Sequence, residues 1–210
     1  MSIKNIVSKI LREEYDNTSN KLYGYHVTLN NPETIETIKQ NGFKVGRGRM
    51  EGKGFYSFYK LDRACGYSSK EGSTNKIVKF EITDLNNLLI LHMDLAKEIL
   101  GEGYHLINQL DKIYGLDNMY NDHLSVFTSG LSKEQYIDKL NSFETNFDYM
   151  ELPYELFSFH SMDFEDNCNV LSYGQYGIQY RINNISVTKP IGMYTLNKFT
   201  PEIVDYTPWE

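Results

Sequence analysis

Apolar side chains recur every three or four residues in several parts of the chain, which is the spacing of an amphipathic helix. One such segment has the clearest ends, because Asn31 precedes Pro32 as an N-cap and Asn41-Gly42 closes the pattern. Ser132 and Gln135 have the spacing of a capping box at the start of another amphipathic segment. The pattern therefore predicts helices over residues 3–15, 32–41, 61–67, 106–113 and 132–140.

Alternating apolar and polar positions, enriched in β-branched and aromatic side chains, predict strands elsewhere. The alternation is clearest from Lys76 to Thr83, where Val78, Phe80 and Ile82 fall on one side. Residues 146–170 are aromatic and acidic without a clear period, so they are assigned to no element. The predicted strands cover residues 21–29, 55–58, 76–83, 88–91, 177–187 and 192–196.

These elements predict a single α+β domain over residues 1–210, with a helical insertion at about 94–145 between two groups of strands. A chain of 210 residues is long enough to bury a substantial core as one domain. Because 40% of the residues are hydrophobic and 23% are charged, the composition is that of a globular protein.

The charge and cysteine content narrow the classes of function. A net charge of -7 argues against extended electrostatic binding of DNA or RNA, although it leaves open the binding of a nucleic acid in one local cleft. No run of about 18 apolar residues predicts a membrane span, and the N-terminus lacks the pattern of a signal peptide. Cys65 and Cys168 are far apart and outside any C-x-x-C motif, which favours a reducing cytoplasm. The four histidines other than His26 lack metal-ligand spacing, so we predict no metal site.

The stretch EGKGFYSFYK, residues 51–60, places Gly52-Lys53-Gly54 directly before a run of rings. One interpretation is a bend that leads into a core strand. The other is a glycine loop that lets the backbone approach a flat ligand, with tyrosines beside it for stacking. The preceding residues, 44–54, hold four glycines and four basic residues, which predicts a loop.

The order of motifs around this stretch resembles the ADP-ribosyltransferase superfamily, in the histidine–tyrosine branch that includes poly(ADP-ribose) polymerases and diphtheria-toxin-like enzymes. The residues that carry the resemblance are His26-Val27-Thr28 in a strand, Gly42-Phe43 after a helix, Gly52-Lys53-Gly54-Phe55-Tyr56, and Ala64-Cys65-Gly66-Tyr67 in a second helix. It covers residues 21–83 well and the C-terminal strands loosely. It implies a split mixed β-sheet that binds NAD, as co-substrate, in an extended shape.

The resemblance also implies roles for individual residues. His26 would hydrogen-bond the ribose beside the adenine, and Thr28 would support the pocket. Tyr56 and Tyr67 would sandwich the nicotinamide ring by offset stacking. The Gly24 backbone would meet the nicotinamide amide, since a glycine in a strand permits close approach. The remaining cofactor contacts implied are Gly54 and the basic loop residues Arg47, Arg49 and Lys53, which would meet the pyrophosphate.

The chain departs from the family pattern at the catalytic glutamate. The aligned strand, residues 172–182, has Gln179 at this position, or Gln175 if the register slips. A glutamine can hydrogen-bond a ribose hydroxyl but carries no negative charge to support the developing positive charge. Candidates for a displaced glutamate are Glu151, Glu155 and Glu165.

The first hypothesis is therefore an NAD-dependent mono-ADP-ribosyltransferase that modifies a macromolecular acceptor, protein or nucleic acid, as a bacterial or phage toxin or effector in the cytoplasm of its own or a host cell. An NAD glycohydrolase, with water as acceptor, lies close to it. The alternative is an inactive member of the fold that binds NAD, ADP-ribose or another nucleotide as an inhibitor or sensor. A third is an interaction protein in which His26, Tyr56 and Tyr67 are ordinary packing residues, the basic loop is solvated and both glutamines are strand surface.

Overall fold

The computed structural model describes residues 15–16, 21–46, 54–70, 74–90, 93–117, 120, 130–145, 169–174, 177–198 and 200–209. Every structural statement below concerns these residues. The predicted helix over residues 3–14, the tip of the basic loop with Arg47, Arg49 and Lys53, the position of Gln175, and the three candidate glutamates lie outside them.

The strands form one nine-stranded sheet in the order β5-β6-β7-β3-β2-β4-β8-β9, with β1 also pairing with β2. β5 and β6 run parallel, and the other neighbours run antiparallel. The strands are β1 Tyr15–Asp16, β2 Lys21–Thr28, β3 Phe55–Phe58, β4 Lys76–Ile82, β5 Leu88–Ile90, β6 Asn169–Gly174, β7 Gly177–Ile182, β8 Thr188–Leu196 and β9 Ile203–Pro208. The predicted mixed α+β class is confirmed.

The helices begin and end largely where the capping residues predict. In α1 the Asn31 side chain accepts a hydrogen bond from the Glu33 amide, and the chain leaves the helix at Gly42 with a φ of 75°. Ser132 and Gln135 form the predicted capping box at α5. The helices are α1 Pro32–Asn41, α2 Leu61–Lys70, α3 Met93–Leu100, α4 Leu106–Tyr114 and α5 Lys133–Thr145.

Helices cover both faces of the sheet. On one face, which we call the α1 face, Ile38 and Phe43 pack with Phe80 in the larger core, which also includes residues of α3, α4 and α5. On the other, the α2 face, Leu61 and Ala64 pack in a smaller core with Tyr25, Phe58, Ile77, Tyr194 and Leu196. Because side chains alternate along a strand, neighbouring residues of β2 contribute to different cores.

The edge of the sheet at β5 is closed by a side chain. The Gln109 amide donates to the Leu88 carbonyl at 2.6 Å and accepts from the Ile90 amide at 3.3 Å, as a neighbouring strand would. The hydroxyl of Tyr104 lies 2.8 Å from both the Gln109 side-chain oxygen and the Ile90 carbonyl oxygen. This buried network satisfies backbone groups that an edge strand otherwise leaves open.

Several boundaries differ from the predictions. Tyr15 was predicted to end a helix, but it lies in β1, where Tyr15–Asp16 pairs with Lys21 and Leu22. The strand predicted over 177–187 ends at Ile182 and is followed by a 3₁₀ turn at Ile185–Val187, which the Asn184 side chain caps. The sequence patterns also missed β9, α3 and the first half of β6. The single strand aligned over residues 172–182 is instead divided between β6 and β7, which pair antiparallel with each other. β9 is mostly exposed, so its sequence lacks the apolar alternation of a half-buried strand.

Candidate functional site

The pairing between β2 and β3 consists of one residue pair, Tyr25 with Phe58. The Tyr59 amide donates a hydrogen bond to the Ile178 carbonyl of β7. Backbone groups alternate in direction along a strand, so the odd-numbered residues of β3 direct theirs toward β7. The even-numbered residues, Tyr56 and Phe58, direct theirs toward β2. A continued ladder would pair Tyr56 with Val27, but no such pair forms. The two strands therefore separate beyond Tyr25, and we call this gap the β2–β3 opening.

His26 lies at the β2–β3 opening. Its Nδ1 is 2.9 Å from the Tyr56 carbonyl oxygen, and since a carbonyl only accepts, Nδ1–H is the donor. Burial lowers the pKa of His26 below its ordinary value, and the bond to the Tyr56 backbone opposes this effect only in part. The imidazole is therefore neutral near pH 7, and its Nε2 is left as a hydrogen-bond acceptor.

A cleft of about 360 Å³ lies on the α1 face beside His26. Its apolar wall contains Phe43 and Phe55, whose ring centroids lie 5.4 and 4.7 Å from that of His26. Thr28 from β2 also lines the cleft. The helix α1 and the residues after it supply the rest of the lining, namely Glu33, Thr34, Thr37, Ile38, Gly42 and Lys44. This space combines flat apolar walls with hydroxyls and one charge of each sign.

On the α2 face the same part of the sheet carries Tyr56, Gln179 and Arg181. Tyr56 pairs with Arg181, and Phe58 with Gln179, so these four side chains share a face. From α2, the ring of Tyr67 packs on that of Phe58 with centroids 5.4 Å apart. All but Phe58 are partly exposed. Tyrosine rings from β3 and α2 therefore lie on the same face as Gln179.

The structure gives Gly24 a packing role. A Cβ at Gly24 would lie 2.2 Å from Cζ of Phe80, which is fully buried. Gly24 pairs with Phe80 in the β2–β4 ladder, and its position alternates with that of Tyr25, which pairs with Phe58 of β3. The glycine therefore admits a core ring, and the backbone beside the opening is that of Val27.

Gly54 closes the stem of the basic loop. Gly46 and Gly54 exchange backbone hydrogen bonds of 3.0 and 3.2 Å. A Cβ at Gly54 would lie 2.8 Å from Cγ of Arg181 and 3.4 Å from Cε2 of Tyr56, so close backbone approach explains this glycine. Since Lys44 and Phe55 flank this stem, the loop that holds Arg47, Arg49 and Lys53 begins and ends beside the cleft.

The predicted site residues are thus divided between two faces. His26 and Thr28 line the cleft on the α1 face, whereas Tyr56, Tyr67 and Gln179 lie on the α2 face. The two groups meet at the β2–β3 opening through the bond from His26 to the Tyr56 backbone. Sequence reasoning assigned no role to Val27 or Arg181. The position of Val27 within the motif His26-Val27-Thr28 was a signal for the first, and the β3–β7 register alone reveals the second.

Three further observations bear on the class of site. Within the described ranges no group of three or more His, Cys, Asp or Glu side chains is arranged to hold a metal ion. None of the helices described here is long and apolar enough to cross a membrane. Comparisons with protein-family models, with curated proteins and with solved structures found no match for this chain.

Proposed function

We propose that this chain is an NAD-dependent ADP-ribosyltransferase of the histidine–tyrosine type, acting on a macromolecular acceptor as a toxin or effector. The observation that supports this most directly is the β2–β3 opening. It places a neutral His26 and a cleft on one side, and Tyr56, Tyr67 and Gln179 on the other. The order of motifs in the sequence supports the same function through the family resemblance.

In this proposal NAD extends through the opening. The adenosine half occupies the cleft on the α1 face, where Phe43 and Phe55 contribute to an apolar wall and Nε2 of His26 accepts a hydrogen bond from a ribose hydroxyl. The carboxamide of nicotinamide has one donor and one acceptor side, which matches the N–H and C=O of a strand residue such as Val27. The nicotinamide ring then lies against Tyr56 and Tyr67.

The residues on the α2 face would support cleavage of the bond between nicotinamide and ribose. The electron pair of that bond leaves with nicotinamide, and the ribose carbon gains positive character. The Gln179 amide can orient a ribose hydroxyl, but it supplies no charge to stabilise this state. Catalysis therefore depends on positioning, which is worth up to about 7–11 kcal/mol in well-oriented systems.

Binding and turnover of NAD test the proposal. The chain is expected to gain thermal stability with NAD and to release nicotinamide, and label from the ADP-ribose moiety should appear on macromolecules of a cell lysate. His26→Ala and Tyr67→Ala should each reduce both the thermal shift and nicotinamide release. His105→Ala, at an exposed histidine before α4, is the matched control and should retain both. Unchanged binding and turnover in His26→Ala and Tyr67→Ala would refute the proposal.

A second function, NAD or ADP-ribose binding without transfer, is favoured by one observation. The residues of β7 on the α2 face are Gly177, Gln179 and Arg181, and none is acidic. A thermal shift with NAD but no nicotinamide release and no labelled acceptor would support this binding module over the transferase. Introducing a charge with Gln179→Glu should then create detectable nicotinamide release.

A further inference from the structure

Arg63 lies beside the glutamine proposed to act in transfer. In α2, Arg63 and Tyr67 are four residues apart and therefore share a helix face. Tyr67 packs on Phe58, which pairs with Gln179. Nε of Arg63 is 3.6 Å, and its Cγ and Cδ are 3.7 and 3.8 Å, from the point where a Cβ at Gly177 would lie. Gly177 is two residues from Gln179 on the same side of β7, a spacing of about 7 Å.

The setting of Arg63 favours an anion at this place. Arg63 is exposed, and within the described part of the chain it forms no ion pair. A guanidinium here opposes the positive charge that develops on the ribose during NAD cleavage, unless a negatively charged group lies between them. Because His26 and the cleft lie beside Tyr56 at the far side of Gln179, Arg63 lies toward the acceptor rather than the adenosine half of NAD.

Gln179 restricts the nucleophile as well. A hydroxyl or amide acceptor must lose a proton as it attacks, and a glutamine side chain cannot take one. An acceptor that is already an oxyanion at neutral pH needs no such base. Phosphate monoesters, with a second pKa near 6, and carboxylates both meet this condition.

Resting on the proposed function, we propose that the acceptor is a terminal phosphate of a nucleotide or nucleic acid, bound by Arg63. One phosphate oxygen forms the new bond to the ribose carbon while the bond from that carbon to nicotinamide breaks. The bonding electron pair leaves with nicotinamide and cancels its positive charge. The monoester becomes a diester, and no proton is transferred.

A phosphate fits better than a carboxylate because of the number of its oxygens. An arginine fork binds two oxygens of either group. A carboxylate then has no oxygen left to attack, whereas a phosphate monoester retains a third. The net charge of -7 favours contact with one terminal phosphate over contact along a nucleic-acid backbone.

The test uses labelled NAD with one short single-stranded DNA sequence, prepared with a 5′-phosphate, a 3′-phosphate or only hydroxyl ends, and with a mononucleotide. Label is expected on phosphorylated acceptors alone, and the modified phosphate should resist phosphatase because it is a diester. Arg63→Gln should lower kcat/KM for these acceptors at least about tenfold, mainly through KM, the loss typical of a hydrogen bond to a charged group. Hydrolysis of NAD by water should not fall in this variant, because the guanidinium that it removes opposes the positive charge developing on the ribose.

Controls separate this inference from the proposed function. Lys97→Gln removes one exposed positive charge on α3 and should leave transfer unchanged. Three outcomes would each overturn the role of a phosphate acceptor while leaving NAD turnover intact. They are equal labelling of hydroxyl-ended DNA, labelling of lysate proteins but of no phosphorylated acceptor, and NAD hydrolysis without any transfer. Absence of NAD binding and of nicotinamide release would instead overturn the proposed function.

Discussion

Gly24→Ala tests whether this glycine admits a core ring or a ligand. The added methyl would lie 2.2 Å from Cζ of Phe80 and 2.7 and 2.8 Å from two further ring atoms. Since the Phe80 ring is fully buried and packs edge-on against Phe43 and Phe55, it has no free space to move into. We expect a loss of about 1–3 kcal/mol in the free energy of unfolding, the usual cost of overpacking.

A double-mutant cycle with Phe80→Leu sharpens this prediction. Phe80→Leu alone should cost about 1–2 kcal/mol, less than the 3–5 kcal/mol of truncation to alanine. It also removes the ring that obstructs the new methyl, so the double variant should be about as stable as Phe80→Leu alone. Urea denaturation of the four proteins should therefore give a coupling energy of about 1–3 kcal/mol.

The control for this cycle is Gly66→Ala in α2, where a Cβ would meet nothing within 4 Å. That substitution should stabilise the protein by about 0.5–1 kcal/mol, as expected for alanine in place of a helical glycine. Effects of Gly24→Ala and Phe80→Leu that add to within about 0.5 kcal/mol would refute the packing argument. Loss of NAD binding in a stable double variant would instead support the predicted ligand role of the Gly24 backbone.

Three further predictions concern the sheet edge and the site. Gln109→Met should lower the free energy of unfolding, measured by urea denaturation, by about 2–4 kcal/mol, because it leaves the Leu88 carbonyl and the Ile90 amide buried without partners. A loss below about 0.5 kcal/mol would contradict this role of Gln109. Folding lowers the pKa of His26, so the unfolded chain takes up a proton at this residue more readily than the folded protein. The contribution of His26 to the free energy of unfolding is therefore complete above about pH 6.5 and declines at lower pH, by up to about 1.4 kcal/mol per pH unit. His26→Gln should flatten that slope between pH 7.5 and 5, and an unaltered slope would assign it to other groups. Tyr67→Phe should retain NAD binding and Tyr67→Ala should weaken it about tenfold by calorimetry, whereas equal losses would show that the hydroxyl rather than the ring matters.

Local signals in the sequence were sufficient for much of the fold. Asn31 and Gly42 define the ends of α1 because capping and a positive φ depend on those residues themselves. By contrast, β6 and β9 were missed because their own residues lack a clear apolar–polar alternation, although each pairs with a strand adjacent to it in the chain. β6 pairs with β5 and β7, and β9 is an exposed edge strand that pairs only with β8. Periodicity within one strand contains no information about such partners.

The same limit explains why the sequence placed His26, Tyr56 and Tyr67 in one pocket, although the structure divides them. Which face of a sheet a side chain occupies depends on register, and a shift of one residue exchanges the faces. In β3 the register with β2 rests on the pair Tyr25 and Phe58, and the sequence FYSF has no alternation from which to infer it. The consequence is functional, because a ligand that touches both His26 and Tyr67 must cross the sheet where β2 and β3 separate. The Val27 backbone lies beside this opening, and its side chain packs against the smaller core. Val27→Trp should therefore block NAD binding, which calorimetry measures, and urea denaturation of the same variant should give the cost to that core.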